Sequence, residues 1–431
     1  MAVITSAALI TVVLFKPQIK IFNVNLSLYA YIPLVGGIIL IAFGGLNFSA
    51  LIEKFTSASS ANPIKIIVLF ISMSLISVLL DETGFFEYVA EKIAQNAGNS
   101  QIRIFVAVYL TVSVLTVFTS NDVVILTFTP FICQFCKKAE IDPIPYVVSE
   151  FVAANTWSLL FLIGNPTNVF LSQSYGIDFL TYFEVMWLPT VFCGLSSFIT
   201  LYLLFRKKLK KPVYRSINEV KLKDKTTAII TLIFLICCTV LISLSSYLDI
   251  EMWLVALITT VVLYLTVAII RLLRKRKDGL IKESFLRAPW QMVPLVIGMF
   301  VIVTGLVECG ATKLISNLIG ESFPILTYGV LSTLSSNVIN NIPMSLLFSS
   351  VAAEIPNAGV QLQAVYATVI GSNVGAFLTP LGALAGLMFT SIVKKHYQDF
   401  GFKKFLKYGA VVATISLVFG LIGLYLSFLL A

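Results

Sequence analysis

The stretch FTSNDVVILTFTPF, Phe118–Phe131, sets Ser120, Asn121 and Asp122 among threonines in one of the most apolar regions of the chain. Polar groups are costly in hydrocarbon, and an ionisable one there defaults to a functional reading. The surrounding sequence decides what this stretch is. The chain has 431 residues, 58% of them hydrophobic and 12% charged, with a mean hydropathy of +0.95. A soluble globular domain carries about 25% charged residues. Apolar runs fill nearly the whole length, which predicts an all-α polytopic membrane protein with no separate soluble domain. The first run, 1–15, follows Met1 without a basic n-region or cleavage site and is expected to be a membrane helix, not a signal.

The net charge of +9 does not point to nucleic acid. Lysines and arginines cluster in three loops, 206–225, 271–287 and 394–407, as the positive-inside rule expects of cytoplasmic loops. The six cysteines lie mostly in apolar runs, and CQFC at 133–136 lacks the second ligand pair of a zinc site. The one histidine, His396, sits in a basic loop. Neither a metal site nor a cofactor is expected.

Loop charge also sets the topology. Re-entrant hairpins at about 102–136 and 325–353 would make loops 16–26, 81–101, 137–143, 206–225, 271–288 and 393–405 all cytoplasmic. Those loops hold nearly every lysine and arginine, and the opposite loops hold only Lys54 and Lys313. The expectation is about ten crossings, two hairpins and both termini outside.

The two halves resemble each other. VLLDETGFFEYVAEKI (78–93) parallels TGLVECGATKLISNLI (304–319), setting Glu82 and Gly84 over Glu308 and Gly310. FTSNDVV parallels NVINNIP, setting Asn121 and Asp122 over Asn340 and Asn341. FVAANTWSLLFLIGNPTN (151–168) parallels VIGSNVGAFLTPLGALAG (369–386), setting Asn155 over Asn373 and Gly164 over Gly382. Residues 1–205 and 226–431 thus read as two repeats joined by the basic linker 206–225. Five crossings in each half would invert the second repeat, an arrangement that places transport sites at the repeat interface.

Four segments then carry polar residues at membrane depth. Two are hairpin tips, Ser120-Asn121-Asp122 and Asn337 through Asn340-Asn341. Two are long helices, one with Asn155 and Gly164-Asn165-Pro166-Thr167-Asn168, the other with Ser372-Asn373 and Thr379-Pro380-Leu381-Gly382. Proline removes a backbone donor and breaks a helix, and glycine lets the backbone turn. Half-helix ends offer N–H groups to anions and carbonyls to cations or protonated groups. Asp122 is the one acid at a tip and is read as the coupling-ion residue, carrying a proton or binding Na⁺. Glu150, a turn before Asn155, is a second candidate. Glu82 and Glu308 read as caps at helix starts.

At these residues the chain resembles the ion transporter superfamily, and within it the arsenite efflux permeases, related to the sodium–dicarboxylate and citrate transporters. The likeness rests on LLDETGFFEY (79–88), the Asn-Asp of FTSNDVVILTFTP, RAPWQMV with GMFVIVTGL (287–306), LSSNVINNIP (334–343) and VIGSNVGAFLTPLGALAGL (369–387). It implies alternating access in the cytoplasmic membrane by a homodimer, with the tips and unwound helices forming the site. For the arsenite branch it implies proton-driven efflux of As(OH)₃ or Sb(OH)₃, in some systems with a soluble ATPase subunit; the chain has no nucleotide loop of its own. GNPTN (164–168) is closer to the Gly-Thr-Pro-Pro-Asn motif of the sodium–carboxylate branch. A Na⁺- or H⁺-coupled carboxylate or small-anion transporter therefore stays open. A sodium–proton antiporter, a channel and an intramembrane hydrolase are weaker alternatives, the last because the sequence has no HExxH and one loop histidine.

Overall fold

The computed structural model describes residues 8, 18–21, 24–57, 62–96, 100–210, 222–276, 279–397 and 399–430. The expected first span, except Ala8, and most of the basic linker lie outside the described residues. The rest is helical apart from a short antiparallel ribbon, β1 (Gln18–Ile21) with β2 (Val24–Ser27), which pairs Gln18 with Ser27 and Ile21 with Val24. The ribbon falls in the expected loop 16–26 and leaves the all-helical membrane architecture intact.

Helices fall into two packed groups. The frame group holds α1 (Leu28–Ala42), α3 (Pro63–Glu82), α10 (Lys225–Ser243), α11 (Met252–Leu273), α12 (Leu280–Arg287) and α13 (Met292–Glu308). The hairpin group holds α5 (Gln101–Phe118), α6 (Asn121–Lys138), α7 (Ile144–Trp157), α8 (Pro166–Ser174) and α9 (Phe179–Phe205). It also holds α15 (Pro324–Ile339), α16 (Asn341–Ala352), α17 (Ala358–Gly375), α18 (Leu384–His396) and α19 (Phe402–Leu430). Of three short helices, α2 (Phe48–Thr56) links two frame helices, while α4 (Phe85–Asn96) and α14 (Ala311–Ile319) each link the frame to the hairpin group.

Seven stretches of described helix are long and apolar enough to span a bilayer: α3, α5, α9, α10, α11, α12 with α13, and α19. Burial sorts them. The apolar window of α3 is 78% buried and that of α11 only 28%, so α3 lies between the groups and α11 leaves most of its apolar surface exposed.

The hairpin group repeats one order of elements: helix, tight tip, helix, interrupted helix, long helix. The helices α3 and α13 end alike, at Gly84 (φ +78°) and Gly310 (φ +73°), left-handed positions that favour glycine. Glu82 and Glu308 are the last residues of α3 and α13, so they do not cap helix starts. A carboxylate is unfavourable at a helix C-terminus. Each has a donor that offsets this: Glu82 pairs with Arg287, and Glu308 Oε2 accepts the Asn47 N–H at 2.9 Å.

Candidate functional site

Each hairpin tip seats on the interruption of a long helix. The first turns at Thr119–Ser120 between α5 and α6, and Asn121 Nδ2 donates to Asn155 Oδ1 in α7 at 3.0 Å. The second turns at Asn340 between α15 and α16, and the Asn341 N–H donates to Gly382 O at 3.0 Å. Helix starts refine the internal alignment. Ser120 and Asn340 are the two N-caps, so Asn121 matches Asn341 and Asp122 matches Ile342, one residue from the pairing read off the sequence.

The interruptions are non-α backbone at 158–165, with one 3-10 turn at Leu162–Gly164, and at 376–383. Pro166 does not itself break a helix. It is the first residue of α8, where the missing N–H costs nothing. Pro380 lies inside the second interruption. Neither Gly164 nor Gly382 has a positive φ. Each is required by close approach: a Cβ on Gly164 would lie 2.5 Å from Ser158 O, and one on Gly382 2.0 Å from Gly375 O.

The two interruptions cross at Asn373. Its Oδ1 accepts from Asn165 Nδ2 at 2.8 Å and Ser158 Oγ at 3.0 Å, and its Nδ2 donates to Asn168 Oδ1 at 2.7 Å. Asn165 Oδ1 accepts from the Thr167 N–H and hydroxyl. Ser372 Oγ donates to Thr167 Oγ1 at 2.8 Å, and Ser345 Oγ reaches Ser372 Oγ and Asn341 O. Asn337 Nδ2 donates to Gly375 O at 3.0 Å, while its Oδ1 accepts from the Thr379 N–H and hydroxyl. Asn340 Nδ2 meets Leu381 O at 3.4 Å. One hydrogen-bond network thus runs through both tips and both interruptions, and Asn121, Asn155, Asn165, Asn168 and Asn373 in it are at most 1% exposed. Bonded backbone and amides of this kind are how irregular chain is tolerated at membrane depth.

All sixteen residues expected to bind solute fall on these four segments. Ser158, Ser345 and Thr129 also bond to these residues or to Glu150 and lie outside that set. Ser158 and Ser345 stand three and four residues after asparagines of the site, which is the helical spacing of a shared face, but serine is too common in membrane helices to flag itself. The Ser120 hydroxyl is buried and has no hydrogen-bond partner among the described residues. Asp122 is half-buried on the first turn of α6, and its carboxylate has no hydrogen-bond partner among the described residues. Glu150 is fully buried in α7. Its Oε2 accepts from Thr129 Oγ1 at 3.0 Å, and its Oε1 has no partner among the described residues. Glu150 therefore faces α6 inside the hairpin group. The expected site residues include no lysine or arginine, and no cluster of three or more possible metal ligands occurs among the described residues.

Broken helices that face each other behind paired hairpins define a membrane transporter, not an enzyme. The model of the citrate transporter family matches residues 10–371, and the chain belongs to that family. The chain is 24% identical over 419 residues to a putative arsenical pump membrane protein of Bacillus subtilis, covering 90% of this chain and 92% of that one. It is 26% identical to the arsenical pump membrane protein of Escherichia coli K12, covering 81% and 83%. An uncharacterized transporter of Mycobacterium tuberculosis is 25% identical, covering 84% and 86%. The crystal structure of the Alcanivorax borkumensis YdaH transporter, described as of unusual topology, shares the fold with a TM-score of 0.58 at 14% identity over 99% of this chain and 97% of that one.

Proposed function

We propose that this transporter exports arsenite and antimonite, as neutral As(OH)₃ and Sb(OH)₃, in exchange for protons. The observation that carries this reading is the composition of the crossing: amides and hydroxyls in one network, with no cationic side chain. A neutral triol needs donors and acceptors in number and no counter-charge. The names of the Bacillus and Escherichia relatives support the same cargo. Asp122 is the coupling residue, because it is the one carboxylate at a tip and has no partner among the described residues. Glu150 is a second proton site, at the α6–α7 contact it makes with Thr129.

The halves 1–205 and 226–431 act as inverted repeats. The hairpin group moves against the frame group, carrying the crossing between the two faces. A narrow apolar cleft between the groups supports this motion: Ile66, Phe70 and Val296 of the frame face Pro166, Phe170 and Leu346 of the hairpin group. Apolar surfaces slide without breaking hydrogen bonds. The protein works as a homodimer, and the basic loops offer a soluble ATPase subunit a surface.

A second reading is Na⁺- or H⁺-coupled transport of a carboxylate. It is favoured by the helix starts at Asn121 and Asn341 and by the unbonded Ser120 hydroxyl, which suit an anionic oxygen. Proteoliposome flux of arsenite, antimonite, citrate, succinate and sulfate under imposed proton and sodium gradients separates the two. Proton-driven arsenite flux supports the first reading, and citrate or succinate flux without arsenite flux overturns it. Asn121→Ala and Asn341→Ala should weaken cargo binding in parallel.

A further inference from the structure

Outside the polar crossing, a cleft of 590 Å³ opens where the last turn of α11 meets α12. It is amphiphilic. Ala268, Leu272, Phe285 and Leu286 line it, with Arg276 and Lys282 among the same lining residues. Leu272 is 78% exposed and Leu286 65%, so the cleft carries a large uncovered apolar wall. The short α12 is two-faced. Leu280 and Ser284 are buried, with Ser284 Oγ 3.0 Å from Tyr264 Oη of α11, while Phe285 and Leu286 point outward. The Trp290 ring packs on Phe285 at 4.8 Å, and its indole N–H donates to Phe285 O. Such a helix, with a tryptophan beside it, lies at the headgroup boundary.

The charge at this end is unbalanced. Arg271, Arg274, Lys275, Arg276 and Lys282 stand against Asp224 and Glu283, an excess of three positive charges. Asp224 Oδ2 is committed to Arg271 at 2.8 Å and lies 3.2 Å from Arg276. Arg274 donates to Thr226 Oγ1. One carboxylate is thus shared by two guanidinium groups, and Lys282 carries its charge on the exposed side of α12.

We propose that this cleft seats one anionic phospholipid of the cytoplasmic leaflet. Its phosphate lies between Arg276 and Lys282, and an acyl chain runs along Ala268, Leu272, Phe285 and Leu286. A zwitterionic lipid fits the apolar wall but brings its own cation, so charge selects the anionic headgroup. The seat is mechanically placed. Arg287, at the end of α12, holds Asp81 at 2.7 Å and also grips Glu82 of α3. Asp81 in turn meets the Thr127 side chain of α6 in the first hairpin.

The test uses the purified full chain in mild detergent, titrated with phosphatidylglycerol or phosphatidylcholine, with bound lipid read by native mass spectrometry. Phosphatidylglycerol should bind to the wild type, and in R276Q/K282Q bind about 30-fold more weakly, the effect of losing two surface cations. Phosphatidylcholine binding should be weak in both. Both side chains are exposed, and an unchanged melting temperature in phosphatidylcholine shows that the variant is folded. Equal phosphatidylglycerol binding by wild type and variant would overturn the proposal. So would equal affinity for the two lipids, or displacement of phosphatidylglycerol by soluble glycerol phosphate at matched concentration. None of these outcomes depends on the cargo.

Discussion

Asn373 joins the two halves of the crossing through bonds to Asn165, Asn168 and Ser158. Asn373→Ala would leave several buried polar groups unpaired, each costing about 1–3 kcal/mol. Its thermal unfolding midpoint in detergent should therefore fall below that of Asn121→Ala, which strands only the Asn155 amide oxygen and the Asp122 N–H. Asp122 makes no such bonds, so Asp122→Asn should leave the unfolding midpoint unchanged. Flux driven by a pH gradient should vanish in that variant while cargo counterflow persists. Retained coupling would move the proton site to Glu150. The amides and Asp122 were legible as polar types stranded in apolar runs. Ser120 was legible too, but not that its hydroxyl stays idle, nor that Ser158 bridges to Asn373, because only packing decides which serine finds a partner.

At the scale of elements, the interruptions depend on space more than on turn chemistry. A methyl on Gly382 would meet the Gly375 carbonyl at 2.0 Å, and backbone cannot retreat as a side chain can. Gly382→Ala should part the second tip from its seat and reduce flux at least tenfold, as measured in proteoliposomes against equal protein. Proline and glycine marked the interruptions correctly, but their stated reasons differed: Pro166 starts a helix and Gly164 admits a carbonyl. Asp224, the N-cap of α10, offers a pH test. Burial works to raise its pKa, but the Thr227 hydroxyl and amide, then Arg276 and Arg271, outweigh burial and hold it below the usual carboxylate range. A lowered folded pKa contributes stability above the unfolded value, about 4, and loses it as pH falls through the folded value. Wild type should thus lose stability on acidification below about pH 4 more steeply than Asp224→Asn. At neutral pH that variant, with Arg271 buried and its partner neutralised, should be about 3–5 kcal/mol less stable. Chemical denaturation at both pH values checks the pair of outcomes.

For the whole molecule, motion between the two groups is the property to test. A bifunctional thiol cross-linker bridging Phe70→Cys and Phe170→Cys, in a background with Cys237 and Cys309 changed to serine, should stop flux. The single variants should stay active under the same treatment. Full flux in the cross-linked protein would exclude sliding at this cleft. Composition and loop charge alone established a polytopic helical membrane protein, because apolar length and the positive-inside bias act before any tertiary contact. They also placed the hairpins and the four polar segments, since asparagine, proline and glycine in hydrocarbon are costly wherever they sit. Only the tertiary structure brought those segments into one network, set Asp122 opposite an apolar residue and turned Glu150 towards α6. It alone folded α12 back to make a charged cleft. These are facts about which surfaces meet, and contacts between residues more than 200 positions apart, such as Asn165 with Asn373, follow from packing that no local pattern encodes.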